Sequence, residues 1–201
     1  MKLETIQREI LKSIVGFGLS NSDASVERFK PSIRDWGDQW IRVEPRFLPA
    51  AESLSLAIPN ALDTLRPLIE LFDHYKHSLY WEQSYTRQDG YFPDEMLDYY
   101  GFAEIIGARG PFVSEKLRAG VGIYPPGAIY PRHQHQAEEI YILLAGSATY
   151  EIGDREKELH HPGDVIFIES NTPHGFVNGD EAIIVYYLWQ AGDLRQISTF
   201  D

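Results

Sequence analysis

Hydrophobic positions recur at helical spacing in the first third of the chain and at strand spacing in the last half. Leu3, Ile6, Ile10 and Ile14 lie one helical turn apart and predict an amphipathic helix. Ser22 and Asp23 are candidate caps for a second, with Val26, Phe29, Ile33 and Trp36 on one stripe and a kink at Pro31. Residues 45–59 read as a connection with a short helix. Leu62, Leu65, Ile69 and Phe72 then predict another helix, running to about His77. From Leu79 the character changes. Aromatic residues crowd the next stretch, and short strands are predicted at 117–124, 141–144, 148–152, 156–160, 165–168 and 182–189. Gly153-Asp154 and Pro162-Gly163-Asp164 punctuate them as turns. Evenly spaced short strands fit a mainly β double-sheet jelly-roll barrel. The organisation expected is a helical segment at 1–78, packed as an N-terminal layer on a barrel at 79–201, with no internal repeat.

Composition narrows the function classes. A chain of 201 residues with 43% hydrophobic content suits one domain with an elaboration. Its net charge of −12 argues against nucleic acid or an anionic membrane as partner and permits a cationic or zwitterionic small molecule. Having no cysteine, it is excluded from disulfides, thiolate metal ligands and cysteine nucleophiles. No apolar run reaches membrane-spanning length, and the N-terminus reads as a helix rather than a signal peptide. A cytoplasmic protein, monomeric or homodimeric, is therefore expected.

Candidate chemistry concentrates in one stretch, Gly127-AIYPR-His133-Gln-His135-QAE-Glu139-IYILLA-Gly146, with His174 further on. Alternate side chains of a strand share a face, so His133 and His135 point the same way. Three imidazoles and a carboxylate suit one borderline divalent ion: Zn, Fe, Mn, Ni or Co. Glu138 competes with Glu139 for the ligand role, and the spacing favours Glu139. Tyr141 follows Glu139 by two and should face the same cavity; a divalent cation nearby would lower its ordinary phenol pKa of ~10 and make it a base. Tyr130 leads into the ligands. The bland alternative, unrelated histidines beside a surface glutamate and a packing tyrosine, does not account for the flanking glycines or for a second block, Gly163-DVIFI-Glu169-Ser-Asn171-TP-His174-GFV-Asn178.

Together the two blocks resemble the paired motifs of the cupin superfamily, which implies a double-stranded β-helix holding a metal at His133, His135, Glu139 and His174. The first matches at every defined position. In the second, Glu169 stands where the family has Pro and Asn171 where it has Gly. Asn tolerates a left-handed backbone, so the turn can survive.

A closer resemblance rests on Tyr99-Tyr100-Gly-Phe-Ala-Glu-Ile-Ile-Gly107, Arg109-Gly-Pro-Phe112, Tyr130 to Tyr141, and Tyr187-Leu-Trp189. These segments are similar to the bacterial cupin dimethylsulfoniopropionate (DMSP) lyases, over roughly residues 80–192. The resemblance implies metal binding by the matched histidines and glutamate, base catalysis at Tyr141 and a second active-site tyrosine at Tyr130. It also implies β-elimination of a zwitterionic substrate to dimethyl sulfide and acrylate. A sulfonium favours aromatic faces, and Tyr80, Trp81, Tyr85, Tyr99 and Trp189 are the candidates, with Tyr100 and Phe102 in the same pool. The rival readings are an Fe(II) dioxygenase, a metal-dependent isomerase or epimerase, and a non-catalytic small-molecule-binding cupin. Elimination needs no oxygen, and an isomerase would want a more polar pocket.

Overall fold

The helical periodicity at the N-terminus becomes α1 (Leu3–Ser20), with Ile10 and Ile14 fully buried. Asp23 caps α2 (Ala24–Arg34), its carboxylate accepting from the Ser25 amide at 2.7 Å. The helix runs through Pro31, and Trp36 lies beyond its end. A 3-10 turn at Pro49–Glu52 leads into α3 (Ser53–Ala57). The next helix, α4 (Arg66–Tyr75), starts later than Leu62 because Pro67, which has no amide hydrogen to give, sits in its first turn. A short α5 (Asp94–Tyr99) follows. The computed structural model describes residues 2–200.

Strands are β1 (Gly101–Gly107), β2 (Phe112–Val113), β3 (Leu117–Tyr124), β4 (Ile129–Gln134), β5 (Glu138–Ala145), β6 (Ala148–Ile152), β7 (Glu158–His160), β8 (Val165–Ile168), β9 (His174–Asn178), β10 (Ile183–Gln190) and β11 (Thr199–Phe200). They form two sheets, ordered β2-β1-β3-β10-β5-β8 and β11-β4-β9-β6-β7. Every pairing is antiparallel except β1 with β2. The fold is mainly β, a two-sheet jelly roll with N-terminal helices.

Two cores divide the sheet faces. Ala119, Val121 and Ile123 of β3, Ile140, Ile142 and Leu144 of β5, and Ile184, Tyr186 and Leu188 of β10 pack against the helices. Alternation at period two sends the intervening residues into the barrel, where a second, aromatic cluster gathers. The Tyr186 hydroxyl donates to Ile14 O at 3.1 Å, seating α1 on β10. Glu138 faces the helices: it pairs with Arg28 of α2 and accepts from Gln190 Nε2 at 3.1 Å. No helix of the described residues is long and apolar enough to cross a membrane.

Candidate active site

Three adjacent strands build one wall of a cavity inside the barrel. Their register aligns barrel-facing residues in rows: Arg118–Trp189–Glu139, then Gly120–Tyr187–Tyr141, then Gly122–Val185–Leu143. Glycine at the head of the second row has a steric cause. A Cβ on Gly120 would lie 2.1 Å from Ala103 O and 2.9 Å from the Tyr187 hydroxyl. The facing wall comes from β4 and β9, where Tyr130 stacks on Phe176 with ring centroids 5.2 Å apart. A register shift between Tyr130 and His133 keeps both in the barrel. Ser84, Tyr85 and the segment Gln196, Ile197 and Ser198 complete the lining.

At the base of the cavity, His133, His135 and His174 are buried, and their ligand atoms lie within 4.8 Å of one another. Each imidazole has Nδ1 against a backbone carbonyl: His133 to Pro131 at 2.9 Å, His135 to Ala137 at 3.0 Å and His174 to Thr172 at 2.8 Å. A carbonyl only accepts, so Nδ1 carries the hydrogen in all three. In the neutral rings that leaves every Nε2 with a lone pair. His135 Nε2 and His174 Nε2 sit 3.0 and 3.3 Å from one carboxylate oxygen, Glu139 Oε2. Lone pairs converging at that distance repel unless a positive charge lies among them. His174 Nε2 has no hydrogen-bond partner although it is buried. The donor set therefore fits a divalent metal ion, with the backbone carbonyls of Pro131, Ala137 and Thr172 holding each ring in place.

Electrostatics point the same way. Burial, reinforced by the neighbouring His174, pushes His133 down to about 3, so that ring is neutral at ordinary pH. Burial alone would raise the Glu139 carboxyl, but the adjacent His135 and His174 outweigh it and hold the group below the usual carboxylate range. Tyr141 goes the opposite way: burial, then the charge of Glu139, raises its phenol well above 10 in the protein alone. Tyr124 lines the same cavity beside it. Tyr130, also raised by burial, lies beside Tyr85 and has its ring centroid 6.3 Å from that of Tyr100.

The structure brings His133, Glu139, Tyr130, Tyr141, Tyr85 and Trp189 to one cavity, with His135 and His174 beside them. It does not bring Tyr80, Trp81 or Tyr99. Trp81 is fully buried under the helices, its Nε1 donating to Lys76 O at 2.9 Å. Tyr80 pairs by backbone with Arg46 instead of lining the cavity, and Tyr99 ends α5 with 55% of its surface exposed. Tyr100 and Phe102 of the wider pool do line it. Sequence reasoning missed Tyr124, Arg118 and Phe176. The signal for the first two was present, since the even positions of β3 read Arg-Gly-Gly-Tyr within an otherwise apolar alternation. Asn171 takes φ 56, the left-handed conformation its turn calls for, and its amide donates to His135 O at 2.8 Å. His160 approaches Tyr150 at the barrel edge, and His77 stacks on Phe47 away from the cavity.

The family profile for dimethylsulfoniopropionate lyase matches residues 23–185. The chain belongs to the dimethylsulfoniopropionate lyase family. It is 39% identical over 101 residues to dimethylsulfoniopropionate lyase DddQ of Ruegeria pomeroyi, a stretch covering 50% of each chain. The matches span about half the length of the curated relatives. The crystal structure of DMSP lyase DddQ from Ruegeria pomeroyi DSS-3 superposes with a TM-score of 0.82, covering 98% of this chain and 96% of that one at 26% identity. A structure described among the DMSP lyases RdDddP and RnDddQII covers 100% of both chains with a TM-score of 0.83; at 22% identity it speaks to the fold alone. The barrel is thus the cupin jelly roll of this lyase family, with its N-terminal helices.

Proposed function

We propose that this chain is a metal-dependent carbon–sulfur lyase that cleaves dimethylsulfoniopropionate to dimethyl sulfide and acrylate by β-elimination. The observation that carries the reading is the shared cavity: His133, Glu139, Tyr141 and Tyr130 open into one space that is also lined by the rings of Tyr85, Tyr100, Phe102 and Tyr124. Family membership and the named lyase relatives support the substrate class.

In this reading His133, His135, Glu139 and His174 hold one divalent ion. When bound, that ion supplies Lewis-acid stabilisation of negative charge on the substrate and offsets the burial that raises the Tyr141 phenol. Tyr141 takes the proton from the α carbon, with Tyr124 lining the cavity beside it. The electron pair released at the α carbon forms the carbon–carbon double bond as the β carbon–sulfur bond breaks, and that bond's pair leaves with sulfur. Dimethyl sulfide departs neutral, so no general acid is required. Tyr130, beside Tyr85 and Tyr100, orients the substrate rather than moving a proton. The rings of Tyr85, Tyr100, Phe102 and Tyr124 offer faces to the sulfonium, each good contact contributing ~0.5–2 kcal/mol. The helices of residues 1–78 back the catalytic sheet of the 79–201 barrel, and a cytoplasmic enzyme, monomeric or homodimeric, completes the proposal.

The test is headspace detection of dimethyl sulfide from metal-replete protein, with and without oxygen. Release in both conditions is expected. No release in either would overturn the lyase reading, and release only in air would replace elimination by oxygen chemistry.

A further inference from the structure

The row Arg118–Trp189–Glu139 does more than line the cavity. Directly opposed residues on neighbouring strands share a face and touch. Here the indole of Trp189 makes three contacts at once. Its Nε1 donates to Glu139 Oε1 at 2.5 Å. The ring lies over the imidazole of His135, centroids 4.0 Å apart and planes 28° from parallel. The Arg118 guanidinium carbon sits 4.6 Å from the indole centroid. Arg118 is anchored in turn: its Nε donates to Glu104 Oε2 at 2.7 Å and its Nη1 to Leu194 O at 3.2 Å. The remaining Glu104 oxygen accepts the amides of Arg109 at 2.7 Å and Gly110 at 3.2 Å. Glu104, Arg118 and Glu139 are all buried.

Glu139 needs such a device. Its Oε2 must face His135 and His174, yet a carboxylate can turn about its last bond and present either oxygen. A donor fixed on Oε1 removes that freedom. The stacked ring likewise fixes the plane of His135, whose Nδ1 is already held by Ala137 O.

We infer that Trp189 is a positioning residue for the metal centre, orienting Glu139 through its indole N–H and His135 through its ring, with the Glu104–Arg118 pair as backing. The inference rests on reading these residues as a metal site. It departs from the expectation that Trp189 serves only as a face for the sulfonium. Partners of this kind commonly change metal affinity by ~10–100-fold.

The experiment is a Co(II) titration of the metal-free full chain, followed by visible absorption and by competition with a chelator. Trp189→Phe keeps an aromatic ring over His135 and removes the donor. The expected result is Co(II) binding weaker by ~10–100-fold, with an altered ligand-field spectrum. Wild-type affinity and spectrum in Trp189→Phe would overturn the inference while leaving the metal site standing. Absence of Co(II) binding by the wild type would instead overturn the metal reading itself, and this inference with it. A second measurement needs no variant. Among the four tryptophans, one indole N–H resonance of nitrogen-15-labelled wild type should shift on adding Zn(II). No indole resonance moving would overturn the proposal even if Trp189→Phe failed to fold.

Discussion

His133 and His174 stand opposite each other on β4 and β9, their ring centroids 4.2 Å apart. Two strands of the smaller sheet thus present imidazoles to one point, and Glu139 reaches it from the other sheet. A metal held there ties the two sheets together as well as serving chemistry.

Metal loading should therefore raise thermal stability. An ion that binds only the folded chain at a hundredfold excess over its Kd stabilises by ~2.7 kcal/mol. A melting temperature that rises with added divalent metal is expected for the wild type. His135→Ala and His174→Ala should lose both bound metal, measured by elemental analysis, and the increase in melting temperature.

Acid should weaken the metal-free protein through His133. Its folded pKa lies at about 3 against an ordinary 6.5. Between those values the unfolded chain takes up a proton that the folded chain refuses, so stability falls as pH drops through that window and is unaffected above it. The loss from this one group is at most about 1.4 kcal/mol for each pH unit. Urea denaturation of metal-free wild type at several pH values should show this slope, and His133→Gln should flatten it.

Tyr141→Phe removes a hydroxyl and keeps the ring. Loss of a positioned base should lower kcat by ~10²–10⁴ while metal content stays at wild-type level. In the proposed mechanism the phenolate is the active form, and burial raises its pKa, so wild-type kcat should climb with pH as Tyr141 deprotonates. Tyr130→Phe should fall less. The two variants and the pH profile can be read from one dimethyl sulfide assay.

Gly120→Ala should destabilise the barrel. The added methyl meets a backbone carbonyl at 2.1 Å, which cannot move aside as a flexible side chain would. Overpacking of this kind costs ~1–3 kcal/mol, measurable as a lower urea midpoint. Gly127→Ala meets nothing within 4 Å, but its φ of +67 makes it a control for backbone strain alone.

Strands whose two faces meet different surroundings were legible in the sequence. β3, β6 and β8 fall at the residues predicted, since their alternation records two different environments. β1 was missed because its sequence, Gly-Phe-Ala-Glu-Ile-Ile-Gly, carries no regular alternation. β9 was not marked as a strand, and β4 only as the strand carrying His133, because histidine, proline and glycine occupy positions that β-formers would otherwise hold. The convergence of His133, His135 and His174 was readable from their spacing along the chain. Which aromatics reach the cavity was not, since Tyr80, Trp81 and Tyr99 sit in connections and a helix end whose direction only tertiary packing decides.

The paired glycines of β3 have one more consequence. Gly120 and Gly122 leave the middle of the largest sheet bare on its inner side, so the hollow is as much an omission as a construction. A Cβ at Gly122 would come only within 3.2 Å of Val185 and 3.4 Å of the Tyr124 ring, a crowding that neighbours can relieve. A single small substitution there would narrow the chamber without breaking the wall, and the size of molecule admitted could drift among relatives while the metal and its base stay where they are.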